Sequence, residues 1–308
     1  MTNVILPVSL DDARLISNSE VESRLTCERK HLFTYIFEKE AKHKSRSLNL
    51  GIVGHEVLAV YYKALQEGLN RVDAEQEAMK YLTKLFMAED YPPDDLATVH
   101  VLLSRYFAQD SLAGNVRILE VETDFYLPIN KDYWYGMRLD LLVEALVGSQ
   151  KGKVLLIDHK FTYDFYSYDD LKLNPQMPKY VVAVRNSGYP VHEAYINQIR
   201  TRFAAHLIPK KGNDDLFNRM PVGITQERVK SALAHQMKMS ERIIEFRRMP
   251  LDLQIEESVP VLNKMICRNC PFKNACEMVE DGMSVQKALG PEYKQRTSGF
   301  AKAIEDGS

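Results

Sequence analysis

The stretch Lys153-Val-Leu-Leu-Ile-Asp-His-Lys160 decides how this chain is read. Val154 to Ile157 are apolar without alternation, which suits a strand buried on both faces at the centre of a sheet. The run then ends abruptly in Asp158, His159 and Lys160. Upstream, Tyr135, Met137, Leu139, Leu141 and Val143 alternate with Arg138, Asp140, Leu142 and Glu144, a period of two that predicts a second strand. Earlier still, Leu119, Val121, Thr123, Phe125 and Leu127 alternate with Glu120, Glu122 and Asp124. The connection Val147-Gly-Ser-Gln-Lys-Gly152 predicts a hairpin centred near position 150. That register would set Asp140 opposite Lys160 and Leu142 opposite Asp158. Opposed residues share a face, as do residues two apart on one strand. Asp140, Asp158 and Lys160 are therefore expected on one side of the sheet, with Glu120, Glu122 and Glu144 extending it.

Outward from these strands the period becomes helical. Apolar residues recur at helical spacing over Ser17–Lys39, Ile52–Leu69, Asp73–Met87 and Asp94–Gln109. A helix is expected from about Asn174 to Arg185, a strand over Val191–Ile199, and a long basic helix over Thr225–Arg248. The order predicts an α/β fold (an α+β mixed sheet) in one domain, 1–308. Residues 1–115 form a helical lobe, 116–200 the core, and 201–308 a C-terminal helix and cysteine segment.

The chain has 308 residues, with 40 Lys+Arg against 42 Asp+Glu and a formal net charge of -2. That balance excludes a global polycation, so any nucleic-acid site is a local basic patch. No apolar run approaches the roughly 18 residues of a membrane helix. The segment Met-Thr-Asn-Val-Ile-Leu-Pro lacks the basic start of a secretory signal. A cytoplasmic location without membrane contact is expected.

Two carboxylates together on a buried strand face repel, and one takes up a proton unless a cation lies between them. A hard divalent ion, Mg²⁺ or Mn²⁺, answers this with oxygen ligands from Asp140 and Asp158. Lys160 beside it can orient a water and offset charge building on a phosphate. Such an arrangement suits phosphodiester hydrolysis. Asp-x-Lys by itself is a weak signal, because any salt bridge at a strand end produces it.

All four cysteines fall into one pattern: Cys267-Arg-Asn-Cys270-Pro-Phe-Lys-Asn-Ala-Cys276 near the C-terminus, and Cys27 far upstream. Four thiolates can hold a zinc ion or an iron–sulfur cluster, and spacing alone does not separate the two. Either would tie distant parts of the chain together, worth about 4–5 kcal/mol by analogy with a disulfide closing so long a loop.

Taken in order, Gly136-Met-Arg-Leu-Asp140, Ile157-Asp158-His159-Lys160 and Gln176-Met-Pro-Lys-Tyr180 resemble the motif series of the PD-(D/E)XK nuclease superfamily, in its RecB-like branch. Leu50-Gly51-Ile-Val-Gly54-His55 is similar to the helix that carries that branch's metal-binding histidine. The resemblance runs from about Ser17 to Cys276 and implies a restriction-endonuclease-like nuclease core. It implies metal ligation by His55, Asp140, Asp158 and the main chain of His159, with Lys160 catalytic. Gln176 and Tyr180 would position DNA or support the site, although Pro178 leaves their common face open. For the cysteines it implies a [4Fe–4S] cluster on Cys27, Cys267, Cys270 and Cys276, as in CRISPR-associated RecB-like exonucleases and AddB-type nucleases. Glu28 departs from the Pro that many relatives carry after the first cysteine.

The implied function is a metal-dependent DNA exonuclease acting on single-stranded ends. Basic residues cluster near Arg29 and Lys30, near Arg200 and Arg202, and along Arg228 to Arg248. Tyr163, Phe165, Tyr166 and Tyr168 could stack on unpaired bases or simply pack. Two rival readings stand: a DNA-binding scaffold subunit that does not cleave, and a zinc-stabilised RNA-processing nuclease.

Overall fold

The computed structural model describes residues 14–88, 91–172, 174–202 and 216–296. The chain opens with β1 (Leu15–Ser17), α1 (Asn18–Thr26), α2 (Glu28–His31), a π-helical turn (Leu32–Ile36) and β2 (Lys39–Ala41). Three long helices follow: α3 (Arg46–Gln66), α4 (Arg71–Ala88) and α5 (Pro93–Gln109). Next come β3 (Val116–Pro128), β4 (Trp134–Ala145), β5 (Val154–Thr162), α6 (Tyr168–Lys172), α7 (Gln176–Asn186), β6 (Val191–Arg200) and β7 (Phe217–Val222). The remainder is α8 (Gln226–Arg248), α9 (Leu251–Glu257), α10 (Lys264–Arg268), α11 (Lys273–Glu280), α12 (Val285–Ala288) and β8 (Tyr293–Gln295).

The architecture is the expected mixed α/β one. Among the described residues the main sheet runs β1-β4-β5-β6-β7, with β3 also pairing β4. β5 lies inside it, antiparallel to β4 and parallel to β6, as its unbroken apolar run requires. The chain divides into two compact units. The first comprises Ser45–Phe125 and Arg138–Leu233; the second, among described residues, comprises those up to Lys44, Tyr126–Met137 and those from Ala234 on.

In the first unit, α3, α4 and α5 cover one sheet face. Val53, Val57, Tyr61, Leu82, Leu102 and Phe107 bury against Leu141, Val143, Leu155 and Ile157. Each such side chain contributes about 1.5–3 kcal/mol on burial. α7 packs on β6. In the second unit, Leu32 and Phe33 pack with Phe246, Phe272 and Tyr293. Val21 packs with Met239, Ile243 and Ile244. Between them sits a buried polar knot, in which Arg247 holds both Glu20 oxygens (2.9 and 2.8 Å) and His31 Nε2 meets Glu20 Oε1 at 3.0 Å.

Three expectations need correction. The hairpin register is two residues tighter than a symmetric turn gives: Leu142 pairs with Leu156, not with Asp158. The turn closes through Ala145 N–H to Lys153 O (2.9 Å) and Gly152 N–H to Ala145 O (2.7 Å). Glycines 148 and 152 supply its positive φ angles of 70° and 81°. A two-residue shift preserves side-chain parity, so the facing argument survives. Secondly, the helix expected over Ser17–Lys39 breaks at Cys27, whose backbone is extended (φ -165°, ψ 119°). Thirdly, β7 and the short strands β1, β2 and β8 add to the strands read from periodicity; three residues are too few to show a period.

Candidate active site

Helix α3 starts at a Ser45 cap, where Oγ accepts from Leu48 N–H at 3.4 Å, and passes directly over β5. The crossing is possible because residue 54 is glycine. A Cβ there would stand 2.1 Å from the Phe161 ring. The next residue, His55, is thereby aimed at the end of the sheet. Its Nδ1 lies 3.5 Å from Asp140 Oδ2 and 3.6 Å from Glu122 Oε1. Donor atoms of His55, Glu122 and Asp140 all fall within 4.8 Å of one another. Glu122 reaches this group from a left-handed backbone, with φ 48° inside β3. Such a conformation in a non-glycine residue stores strain that clusters at functional sites.

Pairing of β4 with β5 stops at Leu141 and Ile157, and the carboxylates occupy the gap beyond. There the His159 N–H, freed from the ladder, donates to Asp140 Oδ2 at 2.6 Å. A strand residue's N–H and C=O point to the same side, so the His159 carbonyl turns toward that gap as well. Asp158 is buried, and Lys160 Nζ reaches its Oδ2 at 2.8 Å while staying partly open to solvent.

The electrostatics are those of crowded acids. Burial pushes the Asp158 carboxyl up to about 6; Lys160 opposes this and Asp140 reinforces it. Burial also raises Asp140, with His55 opposing and the Glu122 charge adding to the rise. Burial disfavours the charged imidazole of His55, yet Asp140 and Glu122 outweigh it and push the group up to about 9. One imidazole and three carboxylates around a gap, two of those acids held toward their neutral forms, are the donor set of a hard divalent cation. The residues present fit Mg²⁺ or Mn²⁺.

Gln176 and Tyr180 do share a helix face, for Gln176 Nε2 donates to Tyr180 OH at 2.6 Å. Pro178 is accommodated in the first turn of α7, where its missing N–H costs nothing. Glu122, which periodicity placed only on the extended acidic face, joins the histidine directly. A run of three acids at alternate positions was its only trace in the sequence. Arg138 binds Asp124 through two 2.8 Å bonds, and Glu144 binds Arg117.

The aromatic run after β5 does not pack away. Tyr163, Tyr166 and Tyr168 are exposed. Their loop is nonetheless fixed: Tyr166 N–H donates to Gln198 Oε1 (2.6 Å), and Arg200 and Arg202 lie over the rings of Phe165 (4.1 Å) and Tyr163 (5.4 Å). Two of the basic residues, by contrast, are engaged internally. Arg29 donates to Ser258 O at 2.7 Å, and Arg247 is locked on Glu20.

The four thiols all belong to the second unit. Cys27 marks the helix break, Cys267 lies in α10, Cys270 follows it and Cys276 lies in α11. Burial raises the Cys270 thiol, and Cys27 and Cys267 add to the rise. Burial pushes Cys276 up to about 11; Arg29 opposes this while Cys27 and Cys270 contribute to it. All four thiols are partly buried, and Cys270 and Cys276 pack against the same apolar cluster of this unit.

The sequence profile of the PD-(D/E)XK nuclease superfamily matches residues 15–277. The chain belongs to the PD-(D/E)XK nuclease superfamily. Membership assigns it to the nucleases, enzymes that use divalent metals, and the acidic gap beside Lys160 is the part of the fold suited to that chemistry. Two solved structures are similar to this chain over most of its length. One is a candidate exonuclease from Eubacterium rectale, 14% identical, with TM-score 0.48 over 84% of this chain and 89% of that one. The other, the protein SSO0001, is 13% identical, with TM-score 0.37 over 87% of each chain. No curated protein matches the sequence. Among the described residues, no helix is long and apolar enough to cross a membrane.

Proposed function

We propose that this chain is a RecB-like DNA exonuclease working on single-stranded ends, a single nuclease domain with a structural [4Fe–4S] cluster. The observation that carries the nuclease reading is the convergence of His55, Glu122 and Asp140 beside the Asp158–Lys160 pair. His55, Asp140, Asp158 and the main chain of His159 would hold Mg²⁺ or Mn²⁺, with Glu122 as an additional carboxylate. When bound there, such an ion would supply Lewis acidity for ionising water and for charge on the departing oxygen. Lys160, held 2.8 Å from Asp158, keeps a positive charge at the mouth of the gap, where it orients the water and meets the phosphate. Gln176 and Tyr180, tied to each other, present one polar surface from α7.

The exposed rings of Tyr163 and Tyr166, on the loop that follows β5 at Thr162, and of Tyr168 at the start of α6 support the single-stranded preference. Aromatic faces stack on unpaired bases whatever their sequence. The thiols of Cys27, Cys267, Cys270 and Cys276 would hold the cluster, with Arg29 and Lys30 offsetting its negative charge.

The test is end-labelled single- and double-stranded DNA, linear and circular, with Mg²⁺ or Mn²⁺. Stepwise loss of linear single strands is expected, and Asp158→Ala or Lys160→Ala abolishes it without changing iron content. Binding without cleavage by the unaltered protein would instead make it a scaffold subunit. Iron and sulfide analysis after anaerobic purification should find about four of each per cluster; one zinc and no iron sinks the cluster.

A further inference from the structure

His159 sits between Asp158 and Lys160 in β5, and by alternation its side chain leaves the opposite face from theirs. There its Nδ1 joins a buried polar chain, while its ring also meets that of His55 edge-on (centroids 6.4 Å). Asn197, its partner in the parallel pairing of β5 with β6, brings Nδ2 to 2.9 Å from His159 Nδ1. The same amide nitrogen donates to Tyr106 OH at 3.0 Å. Tyr106 OH lies 2.7 Å from Tyr62 OH, and Tyr62 OH donates to Asp110 Oδ2 at 3.3 Å. The Tyr62 ring lies flat on the imidazole (centroids 5.6 Å, interplanar angle 14°), and the Tyr106 ring meets it edge-on (6.3 Å, 89°). All five residues are buried, and Asn197 is only 2% exposed.

Apolar residues would hold these elements together equally well, and a buried polar chain is costly unless it is satisfied. What the chain adds is direction: hydrogen bonds and a stack together allow one orientation of the residue at its end. That residue's main chain matters. Its N–H fixes Asp140 at 2.6 Å, and strand geometry turns its C=O to the same side. A change of strand twist at residue 159 would move both groups.

We propose that Asn197 is a positioning residue for the metal site, acting through His159 to hold the main chain of residue 159 against Asp140. The inference rests on the metal site proposed above and adds a determinant on the α3-covered face of β5, opposite Asp158 and Lys160. Outer partners of metal-holding groups typically carry about tenfold to a hundredfold of metal affinity. Asn197 is such a partner, one bond further out.

The experiment is Mn²⁺ binding to DNA-free protein by calorimetry, beside thermal melting and ssDNA kinetics. Asn197→Ala and the near-isosteric Asn197→Asp, which loses the N–H donors, should each weaken Mn²⁺ binding about tenfold. Their kcat at subsaturating Mn²⁺ should fall, with KM for DNA unchanged. Leu82→Ala, a cavity in the same helical layer away from residue 159, should lower the melting temperature comparably and leave Mn²⁺ affinity intact. In a His159→Phe background, Asn197→Ala should have no further effect on affinity. Wild-type Mn²⁺ affinity in both Asn197 variants, or an undiminished effect in the His159→Phe background, overturns the proposal. Absence of Mn²⁺ binding by the unaltered protein refutes the metal site itself and the positioning role with it.

Discussion

The Phe161 ring occupies the space that a side chain at Gly54 would fill, at 2.1 Å from an ideal Cβ. Helix α3 can lie on β5 only because residue 54 has no Cβ, and His55 owes its place to that contact. Gly54→Ala should cost about 1–3 kcal/mol through overpacking, read as a lower melting temperature. It should also weaken Mn²⁺ binding, because the helix must lift away from Asp140. Adding Phe161→Ala to the same chain should restore room and recover part of the lost affinity. A variant with unaltered melting and binding would mean that the crossing has slack.

Glu122 pairs strain with position. A left-handed non-glycine residue costs about 1–2 kcal/mol, and glycine relieves that at some entropic expense. Glu122→Gly should therefore melt no lower than the unaltered protein while binding Mn²⁺ at least several-fold more weakly. Glu122→Gln keeps the strain and loses only the charge, so its melting should remain near wild type. Equal affinity in all three proteins would remove Glu122 from the site.

Tyr163 and Tyr166 point into solvent, so their loss should leave stability unchanged within about 0.5 kcal/mol. Stacking on unpaired bases is worth about 1–3 kcal/mol per base. Tyr163→Ala and Tyr166→Ala should each raise KM for single-stranded DNA about tenfold, with kcat nearly constant. A fall in kcat at constant KM would instead give the rings a part in chemistry.

Burial holds His31 below its ordinary pKa, with Glu20 opposing and the nearby Arg24 and Arg247 charges reinforcing the drop. The unfolded chain takes up a proton near pH 6.5, whereas the folded imidazole takes it up only at lower pH. Stability contributed by the neutral, buried form is thus complete above about pH 6.5 and declines as pH falls toward the folded value. The melting temperature should decrease between pH 7 and pH 5, and His31→Gln should flatten that slope. Parallel pH profiles for the two proteins would assign the decline to other groups.

The strands around the acidic gap are legible in the sequence because their signals are local and periodic. The unbroken apolar run before Asp158 placed β5 inside the sheet, and alternation gave Asp140 its face. The exact pairing was less accessible, since closure through Gly148 and Gly152 is set by turn dihedrals and not by periodicity. Glu122 was missed as a partner of His55 because one left-handed residue redirects a side chain without altering composition. The network from His159 to Asp110 was invisible for another reason. It joins positions 62, 106, 110, 159 and 197, which nothing but the finished fold brings together. Likewise, the helix break at Cys27 carries no glycine or proline to announce it.

The arrangement of the second unit has a consequence for how the chain is made. Leu32 and Phe33 leave the ribosome well ahead of their buried partners Phe272, Ala275, Val285, Leu289 and Tyr293. The residues around the acidic gap, from His55 to Tyr180, emerge well before these partners. Until the residues from Phe272 on are made, two large apolar side chains lack their buried partners and Cys27 stands without all of the other three thiols. This interval exposes the nascent protein to chaperones, proteases and premature thiol oxidation, and any premature stop before α11 makes the exposure permanent.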